Sequence, residues 1–362
     1  MLYHLLYPLA DTISGFNIFR YITFRTAYAT VTALIIAWIL GPYFIRKLAA
    51  MQLKEKIREE GPQSHQSKAG TPTMGGLIIL AAIVIPTLLW ANLTNRYIQL
   101  ILAVTVWTGA IGFMDDYLKV IKHQKKGMVA RKKLAGQVLL GLLFGAVLYF
   151  FPPSSGFTPD TEIPFFKNYY IPFGPFYIPF VMLIITGASN AVNLTDGLDG
   201  LAIGLAGICF MAFAGLAYLT GRVDWSGYLN ITYLEGVGEL TIFCGAVMGA
   251  ALGFLWFNSH PAQVFMGDTG SLSLGAAMGA CAVLIKKEML LVILGGVFVL
   301  EALSVILQVA SFKLRGGKRI FKMAPLHHHY ELSGWPEPKV VVRFWILGAL
   351  FALLSFSTLK IR

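Results

Sequence analysis

Residues 201–219 read LAIGLAGICFMAFAGLAYL, a stretch without a single charged side chain. A helix needs about 20 residues to cross the hydrocarbon core of a bilayer, so this stretch is long enough to span a membrane. Over the whole chain, 56% of the residues are hydrophobic and 13% are charged, whereas soluble domains carry about 25% charged residues. This composition excludes soluble, disordered and disulfide-stapled secreted proteins, and it indicates a polytopic membrane protein.

Further apolar stretches lie on both sides of this one. Backbone N–H and C=O groups find no water inside a bilayer, so every spanning stretch must be helical. The sequence therefore predicts an all-α integral membrane protein with a single domain over residues 1–362. Its ten transmembrane helices are expected at residues 26–45, 74–91, 97–114, 134–151, 175–192, 201–219, 239–257, 272–285, 289–311 and 340–359.

Positive charge is distributed unevenly between the two sets of loops. Basic loops remain in the cytoplasm, so the distribution predicts that both termini are periplasmic. The net charge of +11 is mostly this topology signal, and no nucleic-acid partner is expected. The loop at 152–172, which this distribution places outside the cytoplasm, is rich in Pro and aromatic residues, and this composition predicts a short hairpin. Twenty of the 29 Lys and Arg residues belong to the side with the loops at 46–73, 115–133, 193–200, 258–271 and 312–339.

Acidic residues gather in three of these inside loops. Asp115 and Asp116 end the third span, Asp196 and Asp199 lie in the run NLTDGLDG, and Asp268 lies in the run FMGDTG. Adjacent carboxylates at a membrane boundary repel each other unless a divalent metal or a cluster of lysines neutralises them. Mg²⁺ favours carboxylates together with substrate phosphate oxygens, so three acidic loops on one face predict a Mg²⁺ site. A solvated helix end is the alternative for the first pair.

The last inside loop contains three consecutive histidines, His327, His328 and His329. Zinc sites use ligands that are separated in sequence. We therefore expect these histidines to contact phosphate or to orient a nucleophile, with a zinc site as the alternative. Cationic and hydroxyl groups in the first two inside loops also suit phosphate, and these are Lys68, Thr71, Thr73, Lys132 and Lys133.

One acid, Glu301, lies within a span and far from its ends, and Ser304 and Gln308 share its helical face. Acids inside a membrane usually face the bundle interior or a cavity, which predicts a buried polar seam. The chain contains no GxxxxGK[ST] phosphate loop for ATP-driven transport. An ion-coupled carrier places its polar residues near the midplane, but here they gather at one surface. This pattern favours chemistry between a cytosolic anionic substrate and a lipid head group.

These motifs resemble those of the polyprenyl-phosphate N-acetylhexosamine-1-phosphate transferases, from about Gly61 to the C-terminus. The resemblance implies a ten-helix enzyme, a homodimer, in the bacterial cytoplasmic (inner) membrane. It implies Mg²⁺-dependent transfer of phospho-MurNAc-pentapeptide from UDP-MurNAc-pentapeptide to undecaprenyl phosphate, which yields UMP and lipid I for peptidoglycan synthesis. The motifs are Asp115-Asp116-x-x-Lys119, Asn193-x-x-Asp196-Gly-x-Asp199-Gly, residues 265–270 and residues 325–331, and residues 70–76 and 319–335 fit the branch with this donor.

The resemblance also implies roles for individual residues. Asp268 would be the principal Mg²⁺ ligand and Asn193 the second. Asp115 would interact with or deprotonate the lipid phosphate, with Asp116 in support. The uridine would lie against Leu198, Asp199, Asn258 and Phe265, with the phenyl ring stacked on the base. The remainder of the site would be lined by Lys68, Thr73, Lys119, Lys133, Asp196, Gln308, His327, His328 and His329.

Two alternative functions remain open at this point. A sister transferase that takes UDP-GlcNAc shares the aspartate motifs, and the block at residues 325–331 favours the muramoyl-pentapeptide donor over it. A transporter of lipids or nucleotide sugars belongs to another functional class. It would leave the donor diphosphate intact, so release of UMP distinguishes it from a transferase.

Overall fold

The computed structural model describes residues 1–50, 70–120, 122, 127–166 and 169–360. Among these residues, eight helices are long and apolar enough to cross a membrane: α2, α4, α5, α6, α7, α9, α12 and α14 in the numbering below. The prediction of an all-α, multi-pass membrane protein is therefore confirmed. The helices are α1 (Leu2–Leu6), α2 (Ile22–Ala50), α3 (Gly76–Trp90), α4 (Arg96–Val120), α5 (Ala130–Phe150), α6 (Tyr177–Thr195), α7 (Leu201–Thr220), α8 (Val223–Leu229), α9 (Leu240–Asn258), α10 (Gly267–Leu284), α11 (Leu290–Leu294), α12 (Gly296–Leu314), α13 (Leu326–Glu331) and α14 (Glu337–Ser357).

Small residues let α9 pack directly against α2. A Cβ atom added at Gly249 would overlap the backbone of Thr30, and one added at Gly253 would lie 2.6 Å from Cβ of Ala37. Lipid tails are as apolar as a leucine side chain, so helices in a bilayer associate mainly through such close van der Waals packing. The α2–α9 pair therefore forms a rigid wall of the bundle.

Helix α10 occupies the interior, and every residue from Thr269 to Leu284 is buried. Gly275 packs on the backbone of α6, and Gly112 of α4 leaves no room for a Cβ atom beside Asp268. The predicted span at 272–285 is wrong at its start, because the helix begins at Gly267. Its polar first turn is stabilised by contacts with α4, which an apolar window cannot detect. This helix carries Asp268 into the centre of the structure.

The predicted span at 289–311 is also wrong, because the structure divides it into α11 and α12 at Gly295. The ring of Phe351 in α14 packs so closely on Gly296 that a Cβ atom there would lie 2.8 Å from it. A second glycine at the break removes the side chain that would favour a continuous helix. The break is thus a consequence of the Gly-Gly pair and the ring packed beside it.

The predicted hairpin is confirmed, with strands β1 (Asp160–Glu162) and β2 (Tyr170–Pro172) paired antiparallel. Buried polar residues between α10 and α11 attach it to the bundle. Lys287 pairs with Glu162, and Glu288 accepts hydrogen bonds from Thr161 at 2.7 Å and Tyr177 at 2.9 Å. Buried charges need such partners. This end of the bundle contains the loops predicted to lie outside.

Candidate functional site

Three carboxylates and two lysines meet where α4, α5 and α10 come together. Asp115 and Asp116 lie near the end of α4, and Asp268 lies in the first turn of α10. Ligand oxygens of the three carboxylates lie within 4.8 Å of one another. Lys119, one turn after Asp115, and Lys133, near the start of α5, complete the group. We refer to these five residues as the carboxylate–lysine cluster, and all five belong to the residues predicted for the site.

Asp268 is the centre of the cluster. Its Oδ2 atom is 2.7 Å from Nζ of Lys133 and 3.0 Å from Nζ of Lys119. Its Oδ1 atom accepts a hydrogen bond of 2.7 Å from Nδ2 of Asn193, at the end of α6. Lys119 also binds Asp115, because the same Nζ atom is 2.6 Å from Oδ2 of that residue. The two ammonium groups thus offset the mutual repulsion of three neighbouring carboxylates.

The carboxylate of Asp116 accepts hydrogen bonds from the first residues of α10. Its Oδ1 atom accepts a 3.1 Å hydrogen bond from the backbone N–H of Asp268. Its Oδ2 atom accepts from the backbone N–H of Thr269 at 2.9 Å and from the hydroxyl of the same residue at 2.6 Å. The first N–H groups of a helix have no partner within the helix, so this carboxylate caps α10 and complements its dipole. Asp116 thereby fixes the direction in which Asp268 points.

The donor chemistry of the cluster fits the predicted Mg²⁺ ion. Mg²⁺ binds one or two carboxylates in such sites and completes its shell with water and substrate phosphate oxygens. All three carboxylates offer oxygens close enough together for one ion, and the oxygens of Asp116 also accept hydrogen bonds from the start of α10. Asn193 donates a hydrogen bond from Nδ2 to Asp268, so it lies beside the predicted principal ligand. Rotation of the amide would turn its oxygen, the atom that binds metals, toward the same point.

The glycine-rich segment at 70–76 lies against residues 265–270. The backbone N–H of Phe265 donates a 2.8 Å hydrogen bond to the carbonyl of Pro72. The N–H of Gly76 donates at 2.7 Å to residue 266, and a Cβ atom at this glycine would overlap the backbone of Gly270. Only glycine permits an approach this close. Two motifs that are far apart in sequence therefore form one unit beside Asp268.

Four other predicted residues belong to the part of the chain that the structure describes. Thr73 is buried within this unit, and Phe265 is half-buried. Leu198 is buried, and Asp196 is half-buried directly after the end of α6. Lys68 lies outside the described residues.

Asp199 and Asn258 are held by contacts among three loops. The Oδ2 atom of Asp199 accepts a 3.1 Å hydrogen bond from the N–H of Ala262 and lies 3.2 Å from Nδ1 of His260. The backbone N–H of Asp199 donates to Glu337 at 2.8 Å. The side chain of Asn258 accepts a hydrogen bond from the N–H of Gly200 and donates one to the carbonyl of Val264. Hydrogen bonds thus connect the two segments that contain Asp199 and Asn258, two of the residues predicted to contact uridine.

The three consecutive histidines do not converge on one point. Among the residues that the structure describes, they form no common group with metal-binding geometry. This arrangement argues against the zinc alternative, because a zinc site needs its ligands around one ion. The Nδ1 atoms have three different partners, namely Glu301 for His327, Glu331 for His328 and the backbone N–H of Lys322 for His329.

Gln308 is engaged by the backbone of the last inside loop. Its Oε1 atom accepts hydrogen bonds from the N–H groups of Ile320 and Phe321, both at 3.0 Å. Its Nε2 atom donates to the carbonyl of Phe321 at 2.9 Å. The structure therefore does not bring Gln308 into the carboxylate–lysine cluster, and this side chain holds the loop against α12.

Sequence reasoning missed several residues that support the site. Thr269 lies inside a recognised motif, and the need to cap α10 could have identified it as a partner for Asp116. His260 also lies beside recognised residues, although no spacing rule connects it with Asp199. Glu337 follows the last inside loop at the start of α14, and no local pattern indicates its contact with the backbone of Asp199.

Comparisons with known proteins agree along the whole chain. The profile described as Glycosyl transferase family 4 matches residues 98–286. The profile described as Phospho-N-acetylmuramoyl-pentapeptide-transferase signature 1 matches residues 68–80. Three relatives named phospho-N-acetylmuramoyl-pentapeptide-transferase come from Syntrophus aciditrophicus, Citrifermentans bemidjiense and Thermodesulfovibrio yellowstonii. They are 58%, 57% and 54% identical to this chain, each over 100% of both sequences.

Proposed function

The chain belongs to the phospho-N-acetylmuramoyl-pentapeptide-transferase family, and we propose that its carboxylate–lysine cluster is the centre at which phosphoryl transfer occurs. The enzyme transfers phospho-MurNAc-pentapeptide from UDP-MurNAc-pentapeptide to a polyprenyl phosphate, which we take to be undecaprenyl phosphate. The products are then UMP and lipid I. This is the membrane step that provides the lipid-linked precursor for peptidoglycan synthesis.

One observation carries the assignment of this centre. Lys119 and Lys133 bind the same oxygen of Asp268, and Asp115 lies beside them at the end of α4. Both substrates are phosphate anions that repel each other as they approach. Lysines placed at this point offset that repulsion, so catalysis depends mainly on positioning and electrostatic stabilisation.

We assign the roles at the centre as follows. Asp268 would hold Mg²⁺ with Asn193 as the second ligand, and the ion when bound would supply positive charge to the phosphate oxygens. Asp116 keeps Asp268 in position through the start of α10. Asp115 faces the acceptor phosphate, and an oxygen of that phosphate attacks the β-phosphorus of the donor in a single step. Lys119 and Lys133 neutralise the charge on the two reacting groups.

The donor nucleoside is proposed to lie beside the unit formed by residues 70–76 and 265–270. Phe265 is half-buried there and presents a ring on which uracil can stack. Leu198, Asp199 and Asn258 form the neighbouring region, Thr73 belongs to the glycine-rich segment, and Lys68 precedes that segment in the sequence. His328 and His329, both half-buried, are expected to meet the donor on the side of the last inside loop.

We further propose that the single domain has ten membrane-spanning helices, namely the eight long apolar helices together with α3 and α10. In this arrangement both termini are periplasmic and the enzyme is a homodimer in the bacterial inner membrane. Contacts in the described part of the chain support this topology. Loops predicted to lie inside bind one another around Asp268. At the opposite end of the bundle, Glu239 binds Arg25 near the start of α2, and Glu162 of the hairpin binds Lys287.

Cysteine labelling tests this orientation. Single cysteines at the exposed positions 129 and 315, in a background that lacks the three native cysteines, are expected to resist impermeant maleimide in intact cells and to react after permeabilisation. A cysteine at position 227, between α7 and α9, should react readily in intact cells and serves as the matched control. Ready labelling at 129 or 315 in intact cells would contradict the topology.

The activity is tested with purified protein, UDP-MurNAc-pentapeptide and undecaprenyl phosphate. We expect UMP and a lipid-linked product to appear in equal amounts, and only when Mg²⁺ is present. UDP-GlcNAc in place of the donor should give no product. Preferred use of UDP-GlcNAc would identify the sister transferase, and movement of intact donor across vesicles without UMP release would identify a transporter.

A further inference from the structure

A buried carboxylate within α12 is paired with the first of the three histidines. Glu301 has no exposed surface. Its Oε1 atom accepts a 3.2 Å hydrogen bond from the backbone N–H of His327, and its Oε2 atom lies 3.1 Å from Nδ1 of the same residue. A charged side chain inside a membrane segment is costly and usually serves a function. Glu301 lies outside the carboxylate–lysine cluster, so its function is not explained by that cluster.

The imidazole of His327 joins this carboxylate to the loop between α6 and α7. Like Glu301, the ring is fully buried. Its Nε2 atom has no hydrogen-bond partner among the residues that the structure describes. This atom lies against Gly197, where an added Cβ atom would overlap the ring. The contact with Glu301 keeps a hydrogen on Nδ1, so the opposite edge of the ring faces the loop.

The loop touched by His327 connects two parts of the site. It follows α6, whose last turn contains Asn193, the residue that binds Asp268. It also contains Asp199, which contacts His260 in another inside loop. Gly200 adopts a left-handed conformation with φ of 78°, which permits a tight reversal at the end of the loop. A small shift at Gly197 would therefore move the proposed nucleoside residues relative to the metal ligand.

We propose that Glu301 is a positioning residue for donor binding, and that it acts through His327 on the loop at residues 196–199. The carboxylate fixes both the backbone and the ring of the histidine. The ring in turn limits how far the loop can move toward α12. This inference rests on the proposed function, because it takes this loop to be part of the donor site.

The variant that tests the proposal is Glu301→Gln. Glutamine has nearly the same shape and can accept from the backbone N–H of His327, but its amide NH₂ faces the hydrogen on Nδ1. The ring must then change tautomer or turn. We expect UMP to bind on the order of tenfold more weakly and the KM for UDP-MurNAc-pentapeptide to rise similarly, as when the partner of a functional histidine is removed. The kcat value should change much less.

Ser304→Ala is the matched control. Ser304 is buried one turn further along α12, and among the described residues its hydroxyl binds the backbone carbonyl of Glu301. Removal of this hydroxyl leaves the carboxylate–histidine contact in place, so UMP affinity and donor KM should equal those of the wild type. Glu301→Asp keeps the charge on a shorter side chain, and it should recover part of the affinity lost in Glu301→Gln.

A double-mutant cycle separates positioning from general loss of stability. If Glu301 acts through His327, then Glu301→Gln should weaken UMP binding no further in a His327→Gln background. Dissociation constants are obtained by titration with UMP, so a smaller folded fraction changes the stoichiometry and leaves the constant intact. Wild-type affinity in Glu301→Gln, or full additivity in the cycle, would overturn the inference. Wild-type protein that neither binds nor releases UMP would instead refute the proposed function.

Discussion

Replacement of Asp268 by Asn is expected to lower turnover by a factor on the order of 10²–10³, the usual cost of losing a group that stabilises charge in a transition state. Asparagine keeps the shape of the side chain but removes the charge. Nζ atoms of Lys133 and Lys119 lie 2.7 and 3.0 Å from Oδ2 of Asp268, so both would lose their common anionic partner. The site would also lose the proposed principal Mg²⁺ ligand.

This effect should depend on Mg²⁺ concentration in a defined way. UMP release is measured for Asp268→Asn and wild type from limiting to saturating Mg²⁺. The variant should require more Mg²⁺ for half of its own maximal rate. Asp224→Asn is the control, because Asp224 also forms an ion pair, with Arg222 at 2.8 Å, but is exposed and far from the cluster in sequence. Near-normal activity of Asp268→Asn at limiting Mg²⁺ would remove this residue from the proposed metal site.

The transmembrane architecture could be predicted to the extent that it depends on lipid. A helix such as α2 lies at the outside of the bundle with most of its residues unburied, so its apolar composition identifies it directly. Helix α10 faces protein instead, and its Gly, Ala and Ser residues reflect close packing more than contact with lipid. Its polar first turn therefore lies outside the span that an apolar window selects. The break at Gly295 was missed for a similar reason, because a window average does not register a change in direction.

The site was predictable where its chemistry appears within a few residues. Asp115, Asp116 and Asp268 could be identified because carboxylates at a membrane boundary are unusual and need an explanation. Their partners in space could not be assigned in the same way. The contact of Glu301 with His327 spans 26 residues and depends on how the last inside loop folds back on α12. The sequence shows that Glu301, Ser304 and Gln308 share one helical face. It does not show that His327 contacts Glu301 on this face.

The capping of α10 by Asp116 shows why adjacent acids have different tasks. In a helix, neighbouring residues point about 100° apart. Asp116 therefore faces the start of α10, where three donors bind it, whereas Asp115 faces the lysines. In the proposed centre, the first residue faces the reacting groups, and the second fixes the helix that carries the proposed metal ligand. The adjacent acids would thus take one reactive and one supporting position.

The Asp115→Asn variant should show activity that recovers with rising pH. A phosphate monoester has a second pKa of about 6, so the acceptor is largely monoanionic below that pH and largely dianionic above it. A general base is useful for the monoanion and redundant for the dianion. If Asp115 is that base, the variant must rely on the dianion. Its rate relative to wild type should rise by up to about tenfold per pH unit below pH 6 and become constant above about pH 7.

The contacts of Asp115 predict a second, pH-independent component. Oδ2 of this residue is 2.6 Å from Nζ of Lys119, and Oδ1 accepts a 2.6 Å hydrogen bond from the N–H of Met128. Asparagine would weaken the contact with Lys119 at every pH, so the activity of the variant should stay below that of the wild type even when the acceptor is fully dianionic.

A deficit in activity that is equal at all pH values would leave Asp115 as a positioning group alone. A covalent phospho-enzyme would give an inactive variant at every pH, and the wild type would exchange labelled UMP into the donor without acceptor. Direct attack predicts no such exchange in lipid-free enzyme, because without the acceptor no bond to the β-phosphorus is formed or broken.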